Sequence, residues 1–225
     1  MYISHKYKLI FLRTPKTASS SLSEFFIKNI PDPDAIYTPV EDSKIPGTLD
    51  QNIINKYRLN FKYYHFTLED LVHNNLITPE QIREYKSVAV IRNPIDRQKS
   101  FYYFYKRWKG PNKPASVEEY KSWTRSGSFI NEPNSAIRQS SILTYGDNIC
   151  GEYWLYENIN NSLQNLMNML KLNIKYSLPN HKNNFRTDKQ NEIQFDEEAM
   201  RGLHSAFVND FTLYNNLKAN FNVGN

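Results

Sequence analysis

The stretch that decides the fold runs from Lys8 to Leu22 and reads KLIFLRTPKTASSSL. Its first part, Leu9 to Leu12, is a short apolar run typical of a buried strand. A turn with one proline and one lysine follows, and four small residues then lead into an amphipathic helix pattern. A helix N-terminus offers unpaired N–H groups and a partial positive charge, and small side chains let an anion approach them. The stretch therefore predicts an anion-binding turn or, equally, an ordinary strand-to-helix turn with a serine cap.

A second unit of the same kind begins at Ser87. The run from Ser87 to Ile91 is β-branched and unbroken, which is typical of a strand covered on both faces. It leads into RNPIDRQKS, residues 92–100, and then into a helix pattern that continues to about Trp108. Repeated strand–loop–helix units predict an α/β fold, with a central, largely parallel sheet flanked by helices. In such sheets ligands bind beyond the carboxyl ends of the strands, where we expect Lys16, His65 and Arg92.

Several other elements can be predicted from periodicity. The aromatic run Phe61–Phe66 predicts a strand that ends near His65, and Tyr153–Tyr156 predicts another strand. The Pro- and Asp-rich segment Pro31–Gly47 predicts a loop. Glu197–Leu217 predicts one long closing helix. We find no internal repeat or linker, so we expect a single domain over residues 1–225.

Composition restricts the class of protein. The chain has 225 residues, 40% of them hydrophobic, which predicts a globular protein rather than a disordered one. Its formal net charge of +5 favours anionic ligands in general. Cys150 is the only cysteine, so an intrachain disulfide and a cysteine-based metal site are excluded. No apolar segment at the start has the length of a signal peptide or membrane anchor, so we expect a cytoplasmic protein.

The two junctions together resemble the sulfotransferases that use 3′-phosphoadenosine 5′-phosphosulfate (PAPS). That family carries a Pro-Lys-Thr/Ser loop for the 5′-phosphosulfate and an Arg-x-Pro-x-x-Arg-x-x-Ser element for the 3′-phosphate. Here the loop reads RTPKTASSS over residues 13–21, and the second element is the 92–100 run. The sequences of the two motifs are most similar to those of the carbohydrate branch that sulfates hexuronic acids at the 2-O position. In that branch Tyr-Tyr-Phe also follows the second element, as it does here at residues 102–104. The sequence departs from the motifs of that family in two ways: the loop lacks the glycine pair of many members, and Asn93 stands in place of the commoner Asp.

The resemblance implies a single sulfotransferase domain of P-loop-like fold. It implies sulfonate transfer from PAPS to a hydroxyl of a carbohydrate acceptor, which includes anionic glycans, with adenosine 3′,5′-bisphosphate as product. No metal and no nucleic acid partner are expected. The residues implied to hold the donor are Arg13, Lys16, Thr17, Ala18, Ser19, Ser20, Ser21, Arg92, Ser100, Arg186 and Lys189.

Two residues are candidates for the chemistry itself. Lys16 carries an ammonium that could neutralise charge on the leaving oxygen, and His65 is a candidate general base for the acceptor hydroxyl. Glu69, Asp70 and His181 remain alternative bases.

The basic residues after the second motif are candidates for other roles. Lys106, Arg107 and Arg138 are candidate contacts for an anionic acceptor, or else part of a solvated surface. The role of Arg97 is ambiguous. It could bind the donor as part of the second motif, or it could form a structural ion pair with an acid on its own helix.

Two other functions fit parts of the sequence. A P-loop nucleotide kinase would also place a lysine in a strand-to-helix turn, but the Walker A glycines and their spacing are missing. A nucleic-acid-binding module would use the basic charge and the aromatic residues, and only composition supports it.

Overall fold

The computed structural model describes residues 1–59, 64–108, 117–127, 136–174, 178 and 195–223. The chain divides into two compact units, one formed by Met1–Ile91 with Gln139–His181 and the other by Arg92–Arg138 with Lys182–Asn225. The single domain expected over residues 1–225 stays a prediction. The strands are β1 Tyr2–Ser4, β2 Leu9–Leu12, β3 Ile36–Tyr37, β4 Lys86–Ile91, β5 Thr144–Tyr145, β6 Asn148–Ile149 and β7 Glu152–Leu155. The helices are α1 Ser19–Asn29, α2 Gln51–Leu59, α3 Leu68–His73, α4 Pro79–Glu84, α5 Pro94–Trp108, α6 Val117–Arg125, α7 Ile159–Met169, α8 Glu197–Ala206 and α9 Val208–Val223.

The first unit is built on a five-stranded sheet with the order β3-β1-β2-β4-β7. β2 pairs with β4 and β4 with β7 in parallel, whereas β1 is antiparallel to both β2 and β3. Since β1 opposes both of its neighbours, β3 and β2 share a direction, and β1 is the strand that runs against the rest. The predicted α/β fold with a largely parallel sheet is confirmed. β5 and β6 form a separate hairpin.

The core of this unit lies between the sheet and two helices. Alternate residues of β2, Leu9 and Phe11, are fully buried, and the Phe11 ring packs at 4.8 Å from Phe26 of α1. On α7, Leu163 and Leu166 lie on one helical face and are buried in the same cluster. This packing holds β2 and α1 on either side of the Arg13–Ala18 turn, so the turn joins two rigid elements.

Two predicted elements differ from the structure. Residues 60–63 lie outside the described part, but Tyr64, His65 and Phe66 are not in a strand, so the predicted strand is wrong at this end. Tyr64 and Phe66 are buried as side chains while their backbone makes a turn, in which Tyr64 has a φ of 69°. The predicted loop Pro31–Gly47 contains the two-residue strand β3.

The closing helix is also interrupted. α8 ends at Ala206 and α9 begins at Val208, because Phe207 leaves helical geometry with φ −122° and ψ 30°. Phe207 is buried in an apolar cluster with Leu203 and Phe211, so tertiary packing overrides the continuous helical pattern.

A buried ion pair lies within the second unit. Arg97 and Asp210 are both 0% exposed, with Nη2 and Oδ2 3.6 Å apart, and Arg97 Nη1 donates a hydrogen bond to the Ile137 carbonyl at 2.5 Å. The guanidinium also lies 4.8 Å from the ring centre of Phe207. The acid that Arg97 meets here, Asp210, belongs to α9 rather than to its own helix α5. Arg97 is a structural residue.

We predict that Asp210→Asn lowers the free energy of unfolding by about 3 to 5 kcal/mol, because it leaves a buried guanidinium without its counter-charge. Urea unfolding measures the difference. Glu197→Gln is the control, since it removes an exposed pair with Arg201 at 3.8 Å and should change stability by less than about 0.5 kcal/mol. A double variant, Arg97→Met with Asp210→Leu, should regain much of the loss. Equal losses in Asp210→Asn and Glu197→Gln would contradict the prediction.

The start of α8 is held by a second ion pair. Asp196 accepts a hydrogen bond from the Ala199 N–H at 3.0 Å, and Arg125 Nε donates to its other oxygen at 3.0 Å. The hydrogen bonds from Arg125, followed by the one from Ala199, hold the pKa of Asp196 well below its usual range. The ionised form is therefore the one that the fold favours.

We predict a pH-dependent effect of Asp196→Asn. A carboxylate with a lowered folded-state pKa stabilises the fold above its unfolded pKa of about 3.9, and this contribution is lost as the pH falls toward the folded-state value. Near neutral pH the variant should melt about 2 to 4 °C below the wild type. The difference should shrink below about pH 4. Thermal melts from pH 7 to pH 3 check it, and a difference that stays constant over this range would contradict it.

Candidate active site

The turn between β2 and α1 has an unusual backbone. Lys16 and Ala18 have φ angles of 63° and 57°, in the left-handed region that favours glycine, and Thr17 between them does not. Alternation of this kind turns successive backbone N–H groups toward one concave side, which is an arrangement that binds anions. Lys16 and Ala18 therefore adopt, without glycine, a backbone conformation that glycine usually supplies.

The N-terminus of α1 is suited to an anion. Its N-cap residue is Ala18, which has no side-chain oxygen, so the cap residue does not occupy the N–H groups of the first turn. The first turn contains no acidic side chain, and three serines begin the helix. Ser19 and Ser21 are buried, whereas Ser20 is half-buried. Of the two interpretations that the sequence left open, the structure disfavours the serine-capped turn.

Arg13 stabilises this turn by hydrogen bonds from the protein interior. Its guanidinium donates to Ser20 Oγ at 3.0 Å and to the Pro39 carbonyl at 3.2 Å, and the residue is 9% exposed. Thr17 is also buried, and its hydroxyl donates to the Thr14 carbonyl at 2.8 Å. Both residues therefore organise the turn, while Lys16 is half-buried at its tip.

His65 is attached to the same turn. Its Nδ1 lies 2.9 Å from the Arg13 carbonyl oxygen. A carbonyl oxygen can only accept, so Nδ1 carries the hydrogen, and in the neutral imidazole the lone pair is on Nε2. The ring is half-buried. The structure thus joins His65 to the loop that contains Lys16 and gives it the tautomer that a base acting through Nε2 needs.

The alternative carboxylate bases make structural contacts. Asp70 Oδ2 accepts from the Thr67 N–H at 2.8 Å and from the Thr67 hydroxyl at 2.9 Å, which completes the capping box of α3. Glu69 accepts from the Gly146 N–H at 3.2 Å. Since both carboxylates stabilise backbone, the geometry favours His65 over either of them. His181 lies outside the described residues.

The second motif lies at the start of α5 in the other unit. Arg92 is 8% exposed, and its Nη2 lies 3.7 Å from Asp96, which is a loose contact. Asn93 Oδ1 accepts from the N–H groups of Ile95 and Asp96 at 3.0 and 3.3 Å. An amide oxygen can cap a helix as well as a carboxylate does, so the departure from the commoner Asp keeps this function.

For the other predicted site residues the structure gives burial and position along the chain. Ser100 is half-buried on α5, and Arg138 is exposed outside any helix. Lys106 and Arg107 belong to α5, but their side chains lie outside the description, as do Arg186 and Lys189 altogether. Sequence analysis did not identify Tyr64 and Pro39 as parts of this site. Neither has a local sequence signal, because their roles come from contacts with Arg13.

The described residues also bear on metal binding and membrane spanning. Among the residues that the structure describes, no group of three or more His, Cys, Asp or Glu side chains is placed to hold a metal ion. In that same part of the chain, no helix is long and apolar enough to cross a membrane.

Comparison with known proteins identifies the class. A profile of the sulfotransferase family matches residues 1–216. The chain therefore belongs to the sulfotransferase family, and the predicted enzyme class is confirmed. No curated protein sequence matches the chain significantly. Among solved structures, it is similar to that of mouse sulfotransferase SULT7A1 complexed with PAP, with 16% identity, a TM-score of 0.48, and coverage of 98% of this chain and 91% of that chain.

Proposed function

We propose that this sulfotransferase transfers sulfonate from PAPS to a hydroxyl of a carbohydrate, with Lys16 and His65 as its catalytic residues. The observation that carries the proposal is the connection between the two: the anion-binding turn that contains Lys16 is hydrogen-bonded, through the Arg13 carbonyl, to an imidazole with Nε2 as its basic atom.

The residues of the turn fit the 5′ end of such a donor. PAPS would supply the sulfonate and a leaving 5′-phosphate. The backbone N–H groups from Lys16 to the first turn of α1, together with the hydroxyls of Ser19, Ser20 and Ser21, would bind that phosphate. The Lys16 ammonium would neutralise the charge on the leaving oxygen, which is the main electrostatic contribution expected in a transfer of this type.

Arg92 and Ser100 would bind the 3′-phosphate. A guanidinium suits a terminal phosphate because it can donate two parallel hydrogen bonds. Along the chain, Arg92 directly follows β4 as Arg13 directly follows β2. A donor with phosphates at both ends of its ribose suits two separate basic motifs, whereas a simple nucleotide needs one.

The acceptor is the remaining part of the proposal. The resemblance of both motifs to the carbohydrate branch supports a glycan, and the basic residues Lys106, Arg107 and Arg138 suit an anionic one. In this reaction His65 Nε2 would remove the proton from the acceptor hydroxyl as the hydroxyl oxygen attacks sulfur.

Binding and transfer can be tested separately. Calorimetric titration with adenosine 3′,5′-bisphosphate should show binding that ATP with Mg²⁺ does not reproduce. Sulfur-labelled PAPS should then label at least one member of a panel of desulfated glycosaminoglycans, neutral oligosaccharides and simple phenols. Labelling of phenols alone would reject the carbohydrate acceptor. Failure of both binding and transfer would reject the proposed function, and salt-sensitive oligonucleotide binding without competition by the bisphosphate would favour the nucleic-acid alternative.

A further inference from the structure

The residue before His65 has a strained backbone. Tyr64 has a φ of 69° and is 4% exposed. Large side chains rarely adopt this left-handed region, because the Cβ then crowds the backbone. Such a conformation persists only where surrounding contacts impose it, and these contacts are found preferentially at functional sites.

One of the contacts of Tyr64 is with Arg13. The Arg13 guanidinium carbon lies 5.9 Å from the centre of the Tyr64 ring, within the range of a cation–π interaction. The same guanidinium is fixed by hydrogen bonds to Ser20 Oγ and the Pro39 carbonyl. The Tyr64 ring therefore contacts a guanidinium that is itself hydrogen-bonded to the anion-binding turn.

Arg13 contacts the two neighbouring residues in different ways. Its guanidinium lies over the Tyr64 ring, and its backbone carbonyl accepts the hydrogen bond from His65 Nδ1. The two adjacent residues therefore both contact Arg13, one through its side chain and the other through its backbone.

We infer that Tyr64 is a positioning residue for His65. The cation–π contact with Arg13 helps to hold Tyr64 in its strained conformation. That conformation directs His65 Nδ1 to the Arg13 carbonyl, and the resulting hydrogen bond selects the tautomer with the lone pair on Nε2. The inference rests on the proposed function for the role of His65, but the orientation and tautomer of the ring are properties of the protein whether or not it transfers sulfonate.

The test compares two replacements that keep an apolar side chain. Tyr64→Leu removes the ring, and Tyr64→Phe keeps it. Histidine labelled with ¹⁵N distinguishes the two neutral tautomers by NMR, and the loss of signals in His65→Asn assigns His65. We expect the Nδ1–H tautomer in the wild type and in Tyr64→Phe, and a mixture of tautomers in Tyr64→Leu.

Kinetics give the second readout. Tyr64→Leu should lower kcat by about 10- to 100-fold while the Kd for adenosine 3′,5′-bisphosphate changes less than about twofold, and Tyr64→Phe should restore most of kcat. Unchanged tautomer and kcat in Tyr64→Leu would overturn the inference. It is also wrong if Tyr64→Leu does not fold while Tyr64→Phe does, because the ring then serves the fold. If the wild type transfers no sulfonate, the proposed function fails, and the tautomer comparison still tests the positioning.

Discussion

His65→Asn is expected to lower kcat by about 10²- to 10⁴-fold, the contribution typical of a positioned general base. Asparagine is the informative replacement because its amide N–H can still donate to the Arg13 carbonyl, where His65 Nδ1 donates at 2.9 Å. The variant therefore keeps the structural hydrogen bond and loses the basic atom Nε2. The Kd for adenosine 3′,5′-bisphosphate should stay close to the wild-type value. Single-turnover transfer from labelled PAPS and calorimetry of the bisphosphate measure the two quantities.

A matched control is available on α3. His73 is an exposed histidine of the same unit, and His73→Asn should leave kcat unchanged. If His65→Asn retains near-normal kcat, the base is another residue, and His181 is then the next candidate to replace.

Lys16→Ala is expected to lower kcat by about 10²- to 10³-fold, comparable to the loss of one preorganised donor that stabilises a developing negative charge. Alanine retains a Cβ, so it leaves the left-handed strain at φ 63° in place and removes only the rest of the side chain. Donor affinity should also fall, because the ammonium contributes to phosphosulfate binding in the ground state. Steady-state kinetics with PAPS, together with bisphosphate titration, separate the two effects.

Two further variants separate charge from backbone. Lys16→Gly removes the ammonium and also the strain, and it should lose as much kcat as Lys16→Ala if charge is the cause. Lys171→Ala replaces an exposed lysine with a φ of 56°, so it matches Lys16→Ala in backbone conformation but lies outside the turn, and it should have no effect on kcat. A kcat for Lys16→Ala within about threefold of wild type would remove Lys16 from the chemistry.

Local sequence patterns predicted much of the sheet and several helices. β2, β4 and β7 were recognisable because apolar, β-branched or aromatic residues form short unbroken runs. The capping box of α3 is also a local feature, because Thr67 and Asp70 are three residues apart and bind each other. These features depend on residues close together in the chain.

The features that sequence did not predict depend on distant contacts. β1 and β3 are three and two residues long, and they are strands only because β1 pairs with β2 and β3 pairs with β1. Arg97 meets Asp210, more than one hundred positions away, so no helical spacing could reveal the pair. The left-handed conformations of Lys16 and Tyr64 are likewise imposed by surrounding structure, since neither residue type favours them.

The glycine-free turn between β2 and α1 has a consequence for the thermodynamics of ligand binding. Glycines would allow the turn many backbone conformations in the free protein, and an anion would have to select one of them. Lys16 and Ala18 have far fewer conformations, and the Thr17 hydroxyl bonded to Thr14 restricts the turn further. The unfavourable free energy of the left-handed residues is therefore part of folding, and the turn loses little additional conformational entropy when a phosphate binds to it.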